Sequence, residues 1–207
     1  IYAHKGVSMI SVQIQGAAGH SSDPSLGHNA LETMHPVMGA LMQFRDELAQ
    51  QHQHPSFAVN VPTLNLGCLR AGDNPNRICG HAELQIDLRL LPGMDSDAIH
   101  KQLEQRCHDA VAGSHTQLTV STVYPPIPPF ESAADGELTT TLAALSGKAP
   151  GTVAFGTEAH FLQTLGMQTV VWGPGSIDQA HQPNEYLEQS HIGPAIETLQ
   201  QVIGRYC

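Results

Sequence analysis

Residues 83–91 read Glu83-Leu84-Gln85-Ile86-Asp87-Leu88-Arg89-Leu90-Leu91, and polar and apolar side chains alternate as far as Leu90. Alternation with a period of two is typical of a strand that buries one face and exposes the other. The stretch therefore predicts a half-buried strand, which needs neighbouring strands for its hydrogen bonds.

The sequence before this strand supplies neighbours. A turn-forming run at 71–76 separates it from another strand-like run at 63–70. Apolar residues recur three and four apart over 29–50 and predict a helix, with Asn29 a suitable N-cap and Pro36 either tolerated near its start or kinking it. A loop rich in glycine and serine covers 16–29, and an alternating strand-like run lies at 7–15.

The sequence after it completes a domain. Apolar side chains spaced by four predict a helix from about residue 95 to 112, and 118–124 is another strand-like run. The order strand, helix, strand, strand, helix, strand is that of a ferredoxin-like split βαβ sandwich. We therefore expect one βαββαβ domain over 6–124.

Residues 125–207 have a different organisation. The proline-rich run at 124–130 predicts a stiff connector. Helices are predicted at 136–146, 158–165 and 190–205, and short strands at 152–155 and 169–172, so this part reads as α/β. Two short strands offer little sheet for these helices, so we expect exposed apolar surface in this part, including the apolar stripe of the last helix.

Composition excludes several classes of partner. Nine basic and nineteen acidic residues give a formal charge of −10, and such a surface repels nucleic acid and anionic lipid. No stretch approaches the roughly 20 apolar residues that span a bilayer, so we expect no membrane partner.

Two features bear on cellular context. The first residues, Ile1 to Gly6, contain no initiator Met and no signal-peptide pattern, which suggests a piece of a longer reading frame. The four cysteines are scattered and predict free thiols in a reducing cytoplasm rather than a disulfide framework. They are Cys68, Cys79, Cys107 and Cys207.

The glycine-rich loop at 173–186 carries the first candidate site residue, His181. It follows an apolar strand-like run, where α/β proteins build sites, and Glu185 is available to orient the imidazole. A loop histidine with a purely structural role is the alternative. One histidine makes no zinc site, because zinc needs at least three protein ligands.

Other candidates lie elsewhere in the chain. His20 is placed at the tip of a flexible loop, where it could hydrogen-bond a polarised carbonyl, although an exposed loop histidine is the plainer interpretation. Arg89 could hold a carboxylate through two parallel hydrogen bonds, although a surface ion pair is commoner. Gly156-Thr157-Glu158 ends one predicted strand and opens a helix, where backbone N–H groups suit an anion.

Together these motifs resemble a family of zinc-dependent deacylases and metallopeptidases. Gly19-His20-Ser21-Ser22-Asp23-Pro24 resembles the start of that family's lid, or dimerisation, domain. Asn76-Arg77-Ile78-Cys79 and Asp87-Leu88-Arg89 look like its Asn-x-Ile-Pro and Asp-x-Arg pair, with Cys79 where proline is commoner. Three features look like the acetylornithine deacetylase branch in particular. They are Pro75-Asn76-Arg77-Ile78-Cys79, the run 125–128, and Thr157-Glu158-Ala159 together with the loop at 173–186.

The resemblance implies a role for each candidate. His181 would be the carboxy-terminal zinc ligand, and His20 would polarise the scissile carbonyl in the other subunit of a homodimer formed through the lid. Asn76, Arg89, Gly156 and Thr157 would bind substrate, with Arg89 on its α-carboxylate. Glu158 facing the ornithine ammonium is a suggestion from charge alone. The implied substrate is N2-acetyl-L-ornithine, in arginine biosynthesis.

The resemblance also implies a departure. The family's two zinc ions, which cobalt can replace, are held mainly by residues of motifs that precede the lid domain, as is its general-base glutamate. None of those motifs is in this chain, which would be the lid followed by the C-terminal part of an α/β zinc-hydrolase catalytic domain. Two alternatives are a succinyl-diaminopimelate desuccinylase or aminoacylase-like deacylase, and a non-catalytic dimerisation module.

Overall fold

A computed structural model describes residues 1–206, which divide into two compact units. We call residues 5–129 and 154–156 the sandwich unit, and residues 1–4, 130–153 and those from 157 onward the terminal unit. The strands are β1 (Ala3–His4), β2 (Ser8–Gln15), β3 (Thr63–Ala71), β4 (His81–Arg89), β5 (Gln117–Thr122), β6 (Phe130–Glu131) and β7 (Thr152–Val153). The α-helices are α1 (Ala30–Gln51), α2 (Ser96–Ala110), α3 (Glu137–Ser146), α4 (Ala159–Thr164) and α5 (Ile192–Tyr206).

The sandwich unit is built on a four-stranded antiparallel sheet in the order β3-β4-β2-β5. Along the chain, α1 follows β2 and α2 follows β4. This strand order and these helix positions confirm the predicted ferredoxin-like fold. β4 is central, and its Leu84 and Ile86 lie opposite Val12 and Ile10 of β2. A β-bulge interrupts the pairing of β3 with β4 between Leu66 and Cys68.

The core of the sandwich unit lies between this sheet and the two helices. Alternate residues of β4 are buried, and α1 buries one side chain every three or four positions. The buried residues of α1 and α2 are Ala30, Met34, Val37, Leu41, Phe44, Leu48, Ile99, Leu103 and Cys107.

Helix α1 begins where the sequence predicts. The Asn29 side chain accepts hydrogen bonds from the backbone N–H groups of Leu31 and Glu32, and its own amide donates to the Glu32 carboxylate at 3.0 Å. These contacts satisfy N–H groups that the first helical turn leaves without partners. Pro36 lies within the second turn, and the helix continues past it as one element.

The terminal unit has a much smaller sheet, in which β1 pairs antiparallel with β6 and parallel with β7. Helix α3 contacts α5, and the Thr141 and Tyr206 hydroxyls lie 2.9 Å apart. The predicted strand at 169–172 is wrong. Only Val171 pairs, exchanging hydrogen bonds of 2.8 and 2.9 Å with Ile1, and one residue pair makes no ladder.

Two further predictions differ in detail. The strand expected at 152–155 ends at Val153, and β1 and β6 were not expected, because two residues are too few to show a period. The proline-rich run, predicted as a stiff connector, is also paired through its backbone. Ile127 and Val7 exchange backbone hydrogen bonds of 2.8 and 2.9 Å, and Phe130 is buried in β6.

Candidate active-site residues

His20 lies on a hydrogen-bonded loop at one end of the sandwich unit. Ala17 and His28 exchange two backbone hydrogen bonds of 3.0 and 2.8 Å across the base of this loop. A Cβ on Gly16 would lie 2.0 Å from the His28 carbonyl oxygen, and one on Gly19 would lie 2.5 Å from that of Leu26. Glycine is required where backbones approach so closely. The loop that was expected to be flexible is therefore held by close backbone contacts.

The structure brings His20 and Asn76 together. The backbone of His20 bridges that of Arg77, the Ser21 N–H donates to the Asn76 carbonyl at 3.1 Å, and the Ile78 N–H donates to the Gly19 carbonyl at 2.8 Å. Two segments far apart in sequence thus form one tip, which we call the lid tip (residues 19–22 and 76–78). Both candidate side chains are exposed there.

The imidazole of His20 has partners within its own loop. Its Nδ1 lies 3.2 Å from the backbone nitrogen of Ser22 and 2.8 Å from the Ser22 hydroxyl. Within residues 1–206, Nε2 makes no hydrogen bond. Ser22 lies within the motif at 19–24, but an exposed serine in a loop has no sequence pattern that would mark it as a partner of His20.

Arg89 lies at the opposite end of the sheet. The strand from His81 to Arg89 spans about 27 Å at the usual rise per residue. The Asp87 carboxylate accepts from Arg89 Nε at 2.6 Å and from Nη2 at 2.8 Å, so the ion pair considered in the sequence is present. Nη1 donates to the Ala154 carbonyl at 3.5 Å, so one N–H of Nη2 and one of Nη1 remain.

Lys5 is a buried cation in the same neighbourhood that sequence reasoning missed. Its ammonium donates to the Val61 carbonyl at 2.6 Å. Burial lowers the pKa of Lys5, and the nearby Arg89 guanidinium lowers it further. The signal available in the sequence was a lone lysine beside an apolar strand, which is too common to mark a buried position.

Gly156 belongs to the sandwich unit and sits near the Arg89 end. A Cβ on Gly156 would lie 2.8 Å from a methyl carbon of Val7 and 3.2 Å from one of Ile127, so a larger residue does not fit without movement. Within residues 1–206, the Gly156 N–H has no hydrogen-bond acceptor. This is the kind of backbone donor that a bound ligand can use.

Thr157 and Glu158 belong to the terminal unit and precede α4. The Thr157 N–H donates to Nε2 of His4 at 3.3 Å, and the Thr157 hydroxyl oxygen accepts from the Ala159 N–H at 3.2 Å. The hydroxyl hydrogen remains available to a ligand. The Glu158 carboxylate is exposed.

His181 lies in the exposed loop of the terminal unit and has φ = 63°. Among residues 1–206 it is the one residue other than glycine with a positive φ. Its backbone N–H donates to the Glu185 carboxylate at 3.2 Å. Glu185 therefore contacts the backbone of His181, whereas the sequence suggested an imidazole contact.

The residues present do not complete a metal site. In the described part of the chain, no three His, Cys, Asp or Glu side chains are arranged to hold an ion. Three protein ligands is the minimum for zinc, and His181 would supply one.

Two of the cysteine thiols, those of Cys79 and Cys107, are buried. Cys68, Cys79 and Cys107 are free, as predicted, whereas Cys207 lies outside the described residues. Cys79 is buried and its thiol donates to the His81 carbonyl. Burial, helped by the Glu104 charge, raises the pKa of Cys107 to about 12, which suits an inert core thiol.

No helix in residues 1–206 combines the length and apolar character needed to cross a membrane.

Comparison with known proteins gives both a family and a set of relatives. The family described as a peptidase dimerisation domain (M20) matches residues 2–114. Acetylornithine deacetylases of Klebsiella pneumoniae (strain 342) and Aliivibrio fischeri (strain MJ11) are 44% and 42% identical over 207 residues. These alignments cover 100% of this chain and 54% of each relative, so the chain spans about half the length of the curated relatives it matches.

Solved structures share the fold at low identity. A tripeptidase of Staphylococcus aureus has a TM-score of 0.69 at 19% identity, covering 98% of this chain and 52% of that one. An aminopeptidase of Bacillus cereus has a TM-score of 0.70 at 17% identity, covering 96% and 51%.

Proposed function

The chain belongs to the M20 peptidase dimerisation family, and from that premise we propose that it is part of an amide hydrolase. The whole protein would cleave N2-acetyl-L-ornithine to L-ornithine and acetate, in arginine biosynthesis. Residues 6–124 would be its lid, and 125–207 the C-terminal part of its catalytic domain. The observation that carries the proposal is the 42–44% identity to acetylornithine deacetylases over all 207 residues. These alignments include the lid tip as well as Arg89 and the segment around Gly156.

Arg89 is proposed to hold the substrate α-carboxylate. Asp87 anchors one edge of the guanidinium through Nε and Nη2. The outer edge keeps hydrogens on Nη1 and Nη2, and this pair matches the two oxygens of a carboxylate. The bond to Asp87 supports this role, because it fixes the plane of the Arg89 guanidinium and so the direction of the remaining N–H groups.

The segment around Gly156 is proposed to bind the same substrate. The free Gly156 N–H and the Thr157 hydroxyl hydrogen are donors suited to a carbonyl or carboxylate oxygen. The exposed Glu158 carboxylate would attract the ornithine ammonium by charge. The 3.5 Å separation of Arg89 Nη1 from the Ala154 oxygen, two residues before Gly156, supports a common role for Arg89 and Gly156.

His20 and Asn76 are proposed to act on a substrate bound in the partner subunit of a homodimer. The lid tip lies at the His81 end of β4, and Arg89 lies at the other end of this strand, which spans about 27 Å. An acetylated amino acid is far shorter than that. A substrate held by Arg89 would therefore receive the lid tip of another subunit, and the His20 N–H would polarise its acetyl carbonyl.

Zinc, two ions per site with cobalt as a substitute, is the metal proposed for the whole protein, with His181 as one ligand. When bound, the metal would supply the activated water. The remaining ligands and the general base would come from residues outside this chain, because residues 1–206 do not make the set. The free cysteines support a cytoplasmic location.

Acetate release tests the proposal directly. This chain and the whole protein would be incubated with N2-acetyl-L-ornithine and zinc or cobalt, with His181→Ala as the control. We expect turnover from the whole protein and none from the chain alone. Turnover by the chain that His181→Ala abolishes would overturn the assignment of ligands outside it.

Two alternatives are outcomes of the same experiment. Preference for N-succinyl-diaminopimelate or for other N-acyl amino acids would identify a desuccinylase or an aminoacylase-like deacylase. A non-catalytic dimerisation module is favoured for the chain by itself, because the family match at 2–114 covers the dimerisation domain. Dimers without turnover in the whole protein would support it.

A further inference from the structure

The contacts of the His20 imidazole determine which of its nitrogens carries the proton. The Ser22 backbone N–H lies 3.2 Å from Nδ1 and can only donate. A donor facing Nδ1 requires a lone pair there. When the ring is neutral, its one hydrogen must then lie on Nε2.

The Ser22 hydroxyl strengthens this preference. Its oxygen is 2.8 Å from Nδ1, closer than the backbone nitrogen, and a hydroxyl can donate or accept. With a lone pair on Nδ1, the hydroxyl donates to it as well, and the two hydrogens share this one lone pair. The alternative tautomer, with hydrogen on Nδ1, would lose the backbone bond and turn the hydroxyl around.

The rest of the lid tip holds this arrangement in place. The Asp23 N–H donates to the His20 carbonyl at 3.2 Å, which closes the turn that folds Ser22 back onto the ring. The Asp23 carboxylate is bound in turn by the N–H and hydroxyl of Ser25, at 3.0 and 2.7 Å. The side chain of Ser21 makes no hydrogen bond within the described residues.

We infer that Ser22 is a positioning residue that holds His20 as the Nε2–H tautomer, so that its exposed Nε2–H donates to the acyl oxygen of the substrate. The second part of this inference, donation to the acyl oxygen, rests on the proposed function. The tautomer itself is a property of this chain, and it is measurable without substrate or metal.

Long-range proton–nitrogen NMR on the chain labelled with 15N-histidine tests the inference at a pH where the ring is neutral. His20→Ala identifies the resonances. We expect a pyridine-like Nδ1 and a protonated Nε2 in the wild type, in Ser21→Ala and in Ser22→Thr, which keeps the hydroxyl. Ser22→Ala should shift the tautomer ratio toward Nδ1–H by about two- to tenfold, the effect of one hydrogen bond.

A hydrogen on Nδ1 in the wild type, or Ser22→Ala behaving like Ser21→Ala, would overturn the inference. In the whole protein, Ser22→Ala should lower kcat by about two- to tenfold while KM stays within about twofold, and Ser22→Thr should restore kcat. If the whole protein fails to cleave N2-acetyl-L-ornithine, the proposed function fails, and the NMR result still decides the tautomer.

Discussion

At the scale of single residues, His181 combines an exposed side chain with a backbone conformation that histidine rarely adopts. A positive φ costs a residue with a Cβ about 1 kcal/mol or more, and such strain is concentrated at functional sites. The Glu185 carboxylate accepts from the strained residue's N–H and helps to hold it. The proposed metal ligand is thus the one residue in 1–206, glycines aside, that has a positive φ.

His181→Gly should therefore stabilise the chain and inactivate the whole protein. We expect the free energy of unfolding in urea to rise by about 0.5–1 kcal/mol, because glycine adopts positive φ without a Cβ clash. Gln182→Gly is the matched control, since Gln182 has no positive φ, and it should lower that free energy slightly. A destabilised His181→Gly chain would show that the loop holds no strain of this kind.

Arg89 offers a second prediction at this scale. In the whole protein, Arg89→Lys should lower kcat/KM for N2-acetyl-L-ornithine by about 10- to 100-fold, because lysine cannot bind Asp87 and a carboxylate in one plane. Arg70→Lys, on β3 in the same unit, is the control and should leave kcat/KM within about twofold. Equal effects of the two substitutions would exclude a carboxylate role for Arg89.

At the scale of elements, α5 carries an apolar stripe on its exposed side. Ile192, Ile196, Leu199 and Ile203 are 41–57% exposed, whereas Ala195 and Thr198 are the buried residues of the helix. The sequence predicted the stripe and the exposed apolar surface of this part. We propose that other residues of the whole protein cover it.

Substitutions on the two faces of α5 should change the free energy of unfolding by different amounts. In the isolated chain, Ile196→Glu should change the free energy of unfolding by less than about 0.5 kcal/mol, since exposed positions tolerate charge. Ala195→Glu should destabilise by several times more, because it buries a carboxylate. The measurement is urea unfolding of both variants, and a large loss in Ile196→Glu would mean that the stripe already packs within the chain.

The accuracy of the predictions from sequence differs between elements. The strands and helices of the sandwich unit repeat their pattern over many residues, so β4, α1 and the Asn29 cap were predictable. β1 and β6 are too short for any period, and 169–172 shows that an apolar run forms no strand without a partner ladder. For the site, residue types indicated His20 and Arg89, but contacts such as Ser22 with His20 arise from loop closure, which no local pattern records.

At the scale of the whole molecule, the candidate residues of the sandwich unit form two groups at opposite ends of one sheet. His20 and Asn76 belong to the lid tip, at the His81 end of β4. Arg89 and the nearby Gly156 lie at the other end of this strand, which spans about 27 Å. One substrate cannot contact both groups of one chain. The central claim is therefore that each active site uses Arg89 of one subunit and His20 of its partner.

Mixing two inactive variants of the whole protein tests this claim most directly. His20→Ala and Arg89→Ala would each be assayed alone, then mixed under conditions that exchange subunits. Random exchange makes half of the dimers mixed, and each mixed dimer has one complete site, so the account predicts recovery of about one quarter of wild-type activity. No recovery, despite exchange verified by mass spectrometry, would contradict it, because a site built within one subunit stays broken in every dimer.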